Sequence, residues 1–176
     1  MEEPIDRPRN SAQWTEGQFR RFVISALRRA KWPVKYEALN AACRGTEINP
    51  KTGRRRKIYA CAACNGRFGA KDVQVDHIVP VQAGGSKDWE SVVERMFCEL
   101  DGFQVLCSEC HDSKSICEML NVSPNQVPMI KLIASFRKLN ALDQATRLGA
   151  LGLPCGKNAP ERLAIFTDWA RSNSHS

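Results

Sequence analysis

Between Ser11 and Lys31 the sequence SAQWTEGQFRRFVISALRRAK places Trp14, Phe19, Phe22, Val23 and Leu27 at helical spacing, with Arg20, Arg21, Arg28 and Arg29 around them. That pattern predicts an amphipathic helix. Pro33 interrupts it, and Tyr36–Cys43 reads as a second short helix ended by Gly45. NPKTGRRRKIYA then supplies turn residues and a basic run leading into a short strand. VQVDHIVPV, from Val73 to Val81, alternates as a strand broken by Pro80, and a flexible QAGGS loop follows. Lys87–Cys98 predicts a helix with Trp89, Val92, Val93 and Phe97 on one side. Phe103–Leu106 reads as a strand and Asp112–Leu120 as a helix. Beyond Pro124 the pattern is helical, with segments near Met129–Leu139, Asp143–Leu148 and Ala159–Arg171. Trp14, Trp32, Trp89 and Trp169 read as core or helix-packing residues. There is no internal repeat and no low-complexity tract. The elements predict an α+β chain with helical extensions at both ends.

Composition narrows the class. A chain of 176 residues, 43% hydrophobic, suits one compact core with helical additions. The net charge of +7 and sequence pI near 9.1 point to a polyanionic partner, a signature shared by nucleic-acid, ribosomal and membrane-surface proteins. The start MEEPIDRPRN has no apolar signal core, so secretion is not supported. No apolar run approaches the about 20 residues a membrane span needs. A cytoplasmic location is therefore expected, and there paired cysteines bind metal more often than they form disulfides.

Eight cysteines are present, four of them in two C-x-x-C pairs, Cys61–Cys64 and Cys107–Cys110. Each pair offers two thiolates from one tight turn, and two such turns complete a tetrahedral zinc site. The long gap between the pairs requires a folded unit between them. Redox dithiols and unrelated buried cysteines are the competing readings, which a single pair would leave open. Cys43, Cys98, Cys117 and Cys155 lack the spacing and read as buried free thiols, with Cys98 or Cys117 as a substitute ligand the lesser alternative.

Between the pairs lies Asp76-His77-Ile78-Val79-Pro80, then Gly84-Gly85. Neighbouring strand residues point to opposite faces, so this dipeptide alone is weak evidence unless a twist or bulge turns both toward one site. Its order in the chain is more specific. C-x-x-C, then V-D-H-I-x-P-V with a Gly-Gly loop, then F-Q-V-L-C-x-x-C-H-x-x-K-S, resembles the zinc-containing, phage-type members of the HNH endonuclease family over Tyr59–Glu118. The resemblance implies a ββα-metal core stabilised by a four-cysteine Zn²⁺ site, made of strands at Val73–Val81 and Phe103–Leu106 and a helix from about Asp112. It implies His77 as the general base, an imidazole being suited to that role near neutrality. Asp76 and His111 would bind the catalytic ion, Mg²⁺ with Mn²⁺ or Ni²⁺ as substitutes. The implied chemistry is hydrolysis of phosphodiesters in double-stranded DNA, by a nick or a double-strand break, leaving 5′-phosphate and 3′-hydroxyl ends. Phage or mobile-element origin, and hence the host cytoplasm, follows from the resemblance alone.

One position departs from the family. Five residues before the third cysteine, where the family usually has asparagine, stands Gly102. In many members that asparagine braces the loop carrying the base, and in others it ligates the metal. Glycine has no side chain for either role, which leaves an oxygen from Asp101, or another group holding the loop, as the two alternatives. Lys51–Lys71 holds seven basic residues and no acidic one. Arg54, Arg55, Arg56 and Lys57 are candidate phosphate contacts, giving affinity rather than sequence specificity. For Lys114 a phosphate contact and a solvated surface are equal readings, and His175 in the tail has no assigned role. The expected organisation is an N-terminal helical extension with a basic arm (1–58), the nuclease core (59–120) and a C-terminal helical region (121–176). Two rivals stand beside the enzyme. One is a non-catalytic, zinc-stapled DNA-binding protein, which Gly102 favours. The other is a nickase active only when docked to a protein partner such as phage packaging machinery.

Overall fold

The computed structural model describes residues 11, 13–82 and 88–173. The Gly84–Gly85 loop, the first ten residues and His175 lie outside the described residues. The chain divides into two compact units, Met1–Cys110 and His111–Ser176.

In the first unit, α1 spans Glu16–Arg28. It begins at Thr15 rather than Ser11 because a reciprocal cap stops it there. The Thr15 side chain accepts from the Gln18 backbone N–H, and the Gln18 side chain accepts from that of Thr15. α2 is Val34–Ala41, starting directly after Pro33. It ends before Cys43 because that residue enters β1 (Cys43–Ile48), a strand the sequence pattern did not predict. Gly45, at φ +98, sits within an irregularity of the β1–β2 ladder instead of terminating the helix. β2 (Arg55–Ala60) pairs antiparallel with β1 and with the short β3 (Arg67–Gly69). Arg55, Arg56 and Lys57 of the basic run therefore lie inside a strand, with Arg54 just ahead of it.

The second sheet is β4 (Val73–His77) against β5 (Phe103–Cys107), antiparallel from Val73↔Cys107 to His77↔Phe103 without a register shift. β4 ends at His77, four residues before Val81, the end the sequence pattern suggests. Between these strands runs α3 (Trp89–Met96), capped by Asp88, whose carboxylate accepts from the backbone N–H groups of Glu90 and Ser91. Those contacts, the Ser91 hydroxyl foremost, hold the Asp88 carboxyl below its ordinary range.

The buried side chains of this unit fall into small clusters. Ile24 of α1 meets Val81, Val92 and Met96. Tyr59, Val73 and Val105 pack beneath Leu39 and Ala42 of the α2 region. The third cluster is Cys61, Leu106 and Cys107, so two of its three buried members are thiols. Clusters of three or four side chains, each contributing about 1.5–3 kcal/mol by burial, are modest cores.

α4 (Ser108–Leu120) opens within the second cysteine pair, four residues before the expected Asp112, and runs on into the second unit. That unit continues with α5 (Val127–Arg137), α6 (Ala141–Ala150) and α7 (Ala159–Asn173). Its core is Phe136, Leu148 and Phe166, with the two phenyl rings stacked at 4.0 Å. Buried Gln144 is satisfied on both ends. It donates to the Leu139 carbonyl and accepts from Arg162 Nε. Trp169 packs on this core, as Trp14 packs on Phe22 and Trp32 on Phe97.

Candidate active site and metal centre

Cys61, Cys64, Cys107 and Cys110 present sulfurs that all lie within 4.8 Å of one another. Among the described residues this is the one group of three or more potential ligands so placed. Local backbone geometry builds each half. The first knuckle closes through Asn65 N–H to the Cys61 carbonyl, with Asn65 at φ 56, and Cys61 N–H to the Gly66 carbonyl. A Cβ on Gly66 would lie 2.6 Å from the Phe68 ring and 3.2 Å from Cys64 Sγ, so the turn needs glycine. Ala62 N–H to the Val105 carbonyl ties this knuckle to β5, which delivers Cys107. The Cys64–Cys107 sulfur separation of 4.0 Å is close to the about 3.8 Å edge of a tetrahedron with 2.3 Å metal–sulfur bonds.

The electrostatics match a shared cation. Burial pushes the Cys61 thiol up, but the backbone N–H groups of Cys107, Cys64 and Ala63 outweigh it and lower it from 9.0 to about 6. Cys110 moves the other way, pushed up by burial and by the sulfurs of Cys107, Cys61 and Cys64. Cys61 favours ionisation while Cys64 and Cys110 resist it, a conflict that a dication removes. The other four cysteines stand apart from this group. They are not buried as the sequence reading expected: Cys43, Cys98 and Cys117 are half-buried, and Cys155 is exposed in the loop before α7.

Asp76 and His77 end β4, both half-buried. The ladder runs in register through both residues without a bulge. Asp76 pairs with Gln104, and His77 pairs with Phe103, their rings 4.8 Å apart. Neighbouring side chains inside a strand point to opposite faces, but these are the last two residues of β4, and the chain leaves the ladder after His77. His77 Nε2 lies 3.1 Å from the Met96 carbonyl oxygen. That carbonyl is at the C-terminus of α3, where the last turn has no intrahelical donors to receive. A carbonyl only accepts, so Nε2 carries the ring proton and the lone pair of the neutral imidazole is on Nδ1. His111 is the fourth residue of α4, directly after Cys110. Lys114, further along α4, forms an i,i+4 ion pair with Glu118.

Strand alternation divides the basic run. Arg55 and Lys57 project from one face of β2, opposite Ile48 and Thr46 of β1. Arg56 projects from the other, opposite Glu47, and its Nε is buried without a hydrogen-bond partner. Arg54 precedes the strand. The distal part of this hairpin, Thr46–Ile48 with Arg55, is exposed on both faces.

The segment connecting α3 to β5 carries contacts that sequence reading missed. Trp32 Nε1 donates to the Cys98 carbonyl at 2.9 Å, and Ile78 N–H donates to the Gly102 carbonyl at 2.9 Å. A Cβ on Gly102 would lie 2.5 Å from Cys98 Sγ. Carbonyl partners leave no trace in residue identity, so no signal in the sequence marks them. Gly102 was the one visible clue.

Residues 61–116 match the family model described as HNH endonuclease. Over 62 residues the chain is 37% identical to a protein of Lactococcus phage SK1 named “Probable HNH endonuclease”. That alignment covers 35% of this chain, and the chain spans 60% of the length of the curated relative. No solved structure matches the chain.

Proposed function

We propose that residues 61–116 form an HNH endonuclease unit and that the protein is a metal-dependent endonuclease hydrolysing double-stranded DNA, with His77 as its general base. The observation that carries this reading is the joint presence, inside the matched segment, of an oriented His77 and the four-sulfur cluster. The sulfurs hold Zn²⁺, the dication that four thiolates in a tetrahedron favour. Asp76 and His111 would hold the catalytic Mg²⁺ or Mn²⁺, a carboxylate and an imidazole being suitable donors. Bound there, the ion would supply charge stabilisation for the phosphodiester transition state and Lewis-acid assistance to the leaving 3′-oxygen.

The chain's own groups supply the rest. With its proton on Nε2, His77 takes a proton from the attacking water at Nδ1. The imidazolium so formed keeps its Nε2–H on the Met96 carbonyl, at the negative end of α3, where a cation is favoured. The zinc knuckle fixes the first turn of α4 and so the start of the helix that carries His111. Lys114 joins a phosphate only by exchanging its partner Glu118.

Arg55 and Lys57, on one face of the exposed hairpin, are the phosphate-gripping pair. Replacing both with alanine weakens DNA binding about equally for any sequence. It also lowers the steepness of the salt dependence by about two counterions, read from fluorescence anisotropy across a salt series. An unchanged salt slope removes the hairpin from the interface.

The chemistry is tested on the product ends. Supercoiled plasmid incubated with the protein and Mg²⁺ should yield nicked or linear DNA that DNA ligase reseals directly, as 5′-phosphate and 3′-hydroxyl ends require. Ends that ligate only after a kinase adds 5′-phosphate contradict the proposed bond cleavage. Binding without cleavage in any divalent ion supports a zinc-stapled DNA-binding protein instead.

A further inference from the structure

Two hydrogen bonds at His77 and the residue after it come from a single stretch of chain, Met96–Gly102. At one end the Met96 carbonyl accepts from the His77 ring, and at the other the Gly102 carbonyl accepts from the N–H of Ile78, the next residue after the base. The His77 ring is therefore held at 3.1 Å, and the backbone N–H of Ile78 at 2.9 Å, by two ends of one short segment. Such a segment orients the base only as well as it is itself held.

Two contacts hold it. Inside the stretch, Cys98 lies against the Cα of Gly102 so closely that any side chain at 102 would meet its sulfur. This packing holds the middle of the segment against its Gly102 end. From outside, Trp32 reaches in from the α1–α2 connection. Its indole N–H donates to the Cys98 carbonyl at 2.9 Å, and its ring meets Phe97 edge-on at 5.5 Å. Phe97 in turn packs on the Ile24–Val81–Val92–Met96 cluster. The Cys98 carbonyl lies just past the C-terminus of α3, where helix hydrogen bonding no longer supplies a partner.

We propose that Trp32 is a positioning residue for the general base: its indole N–H anchors the Met96–Gly102 clamp, and Cys98 packed on Gly102 sets the clamp's span. The role rests on the reading of His77 as base. It assigns a catalytic contribution to a residue well outside the matched segment, and it gives Gly102 a definite purpose. Glycine at 102 makes room for a thiol that closes the clamp.

The test uses the full zinc-loaded chain with ¹⁵N-labelled histidine. Three histidines give three sets of ring signals, and the His77→Ala variant identifies those of His77. In the parent, His77 should show one protonated nitrogen, Nε2, and one lone-pair nitrogen, Nδ1. Trp32→Phe keeps the aromatic edge on Phe97 but removes the N–H. The two His77 nitrogen shifts should then converge as the ring samples both tautomers. DNA cleavage should lose about ten- to a hundredfold in kcat, with KM unchanged, the scale on which a base displaced by about 1 Å fails. Unchanged shifts together with unchanged kcat overturn the proposal. Should Trp32→Phe fail to fold, Gly102→Ala tests the same clamp from within. It should release the tautomer by displacing Cys98, and Gly102→Ala with Cys98→Gly should restore it. A fixed tautomer in Gly102→Ala overturns the proposal. If the parent cuts no DNA, the nuclease reading fails, while the ¹⁵N measurement still decides whether the clamp holds the ring.

Discussion

His77→Ala cuts DNA about 10²–10⁴-fold more slowly than the parent while binding it equally well, the range a positioned general base supplies. The prediction follows from what the side chain does and does not support. Its ring contacts the Met96 carbonyl and the face of Phe103, and it is only half-buried. Truncation leaves a small gap beside Phe103 and one carbonyl short of a donor. Together these cost on the order of 1–3 kcal/mol, too little to unfold most domains. Activity and stability therefore separate. Thermal melting that stays near the parent's, with cleavage rates collapsed, is the expected pair of measurements. Equal cleavage by the two proteins removes His77 from the mechanism.

The second large effect falls on folding. Cys107→Ser removes one of the four sulfurs from the cluster and leaves a hydroxyl among buried Cys61 and Leu106. Zinc held by four thiolates contributes apparent binding energies of about 10–16 kcal/mol in small zinc modules. That matches or exceeds the net stability of a typical domain, about 5–15 kcal/mol. The variant should bind less than half an equivalent of zinc. It should also lose the cooperative melting of the first unit, as the parent should under strong chelation. Serine at the neighbouring but unclustered Cys98 should leave the zinc stoichiometry at one. A Cys107→Ser protein that melts like the parent contradicts a structural metal.

How far the sequence revealed this molecule varied with the kind of signal. Cysteine pairs and the Asp76-His77 strand end are chemical identities at fixed spacing, and they were readable before any coordinates. The α1 helix was readable from its apolar period, although its start at Thr15 depends on the Gln18 reciprocal cap. β1 was hidden because five of its six residues are exposed, so it has no apolar alternation to detect. Gly45 looked like a helix stop because glycine serves both helix ends and strand irregularities, and only pairing with β2 decides between them. The basic run looked like one patch until the pleat assigned Arg55 and Lys57 to one face and Arg56 to the other. The clamp on His77 was unreadable for a deeper reason. Its working atoms are the backbone carbonyls of Met96, Cys98 and Gly102, which every residue possesses.

Zinc and the catalytic ion have separate roles in the proposed mechanism, and one measurement addresses that separation directly. The protein, purified with its zinc and freed of loosely bound ions, is mixed with supercoiled plasmid in the presence or absence of added Mg²⁺ or Mn²⁺, while zinc content is followed in the same samples. The prediction is nicking or linearisation only with the added ion, at one zinc per chain throughout. Cleavage at full rate with zinc as the sole metal, or none with any added ion, contradicts it.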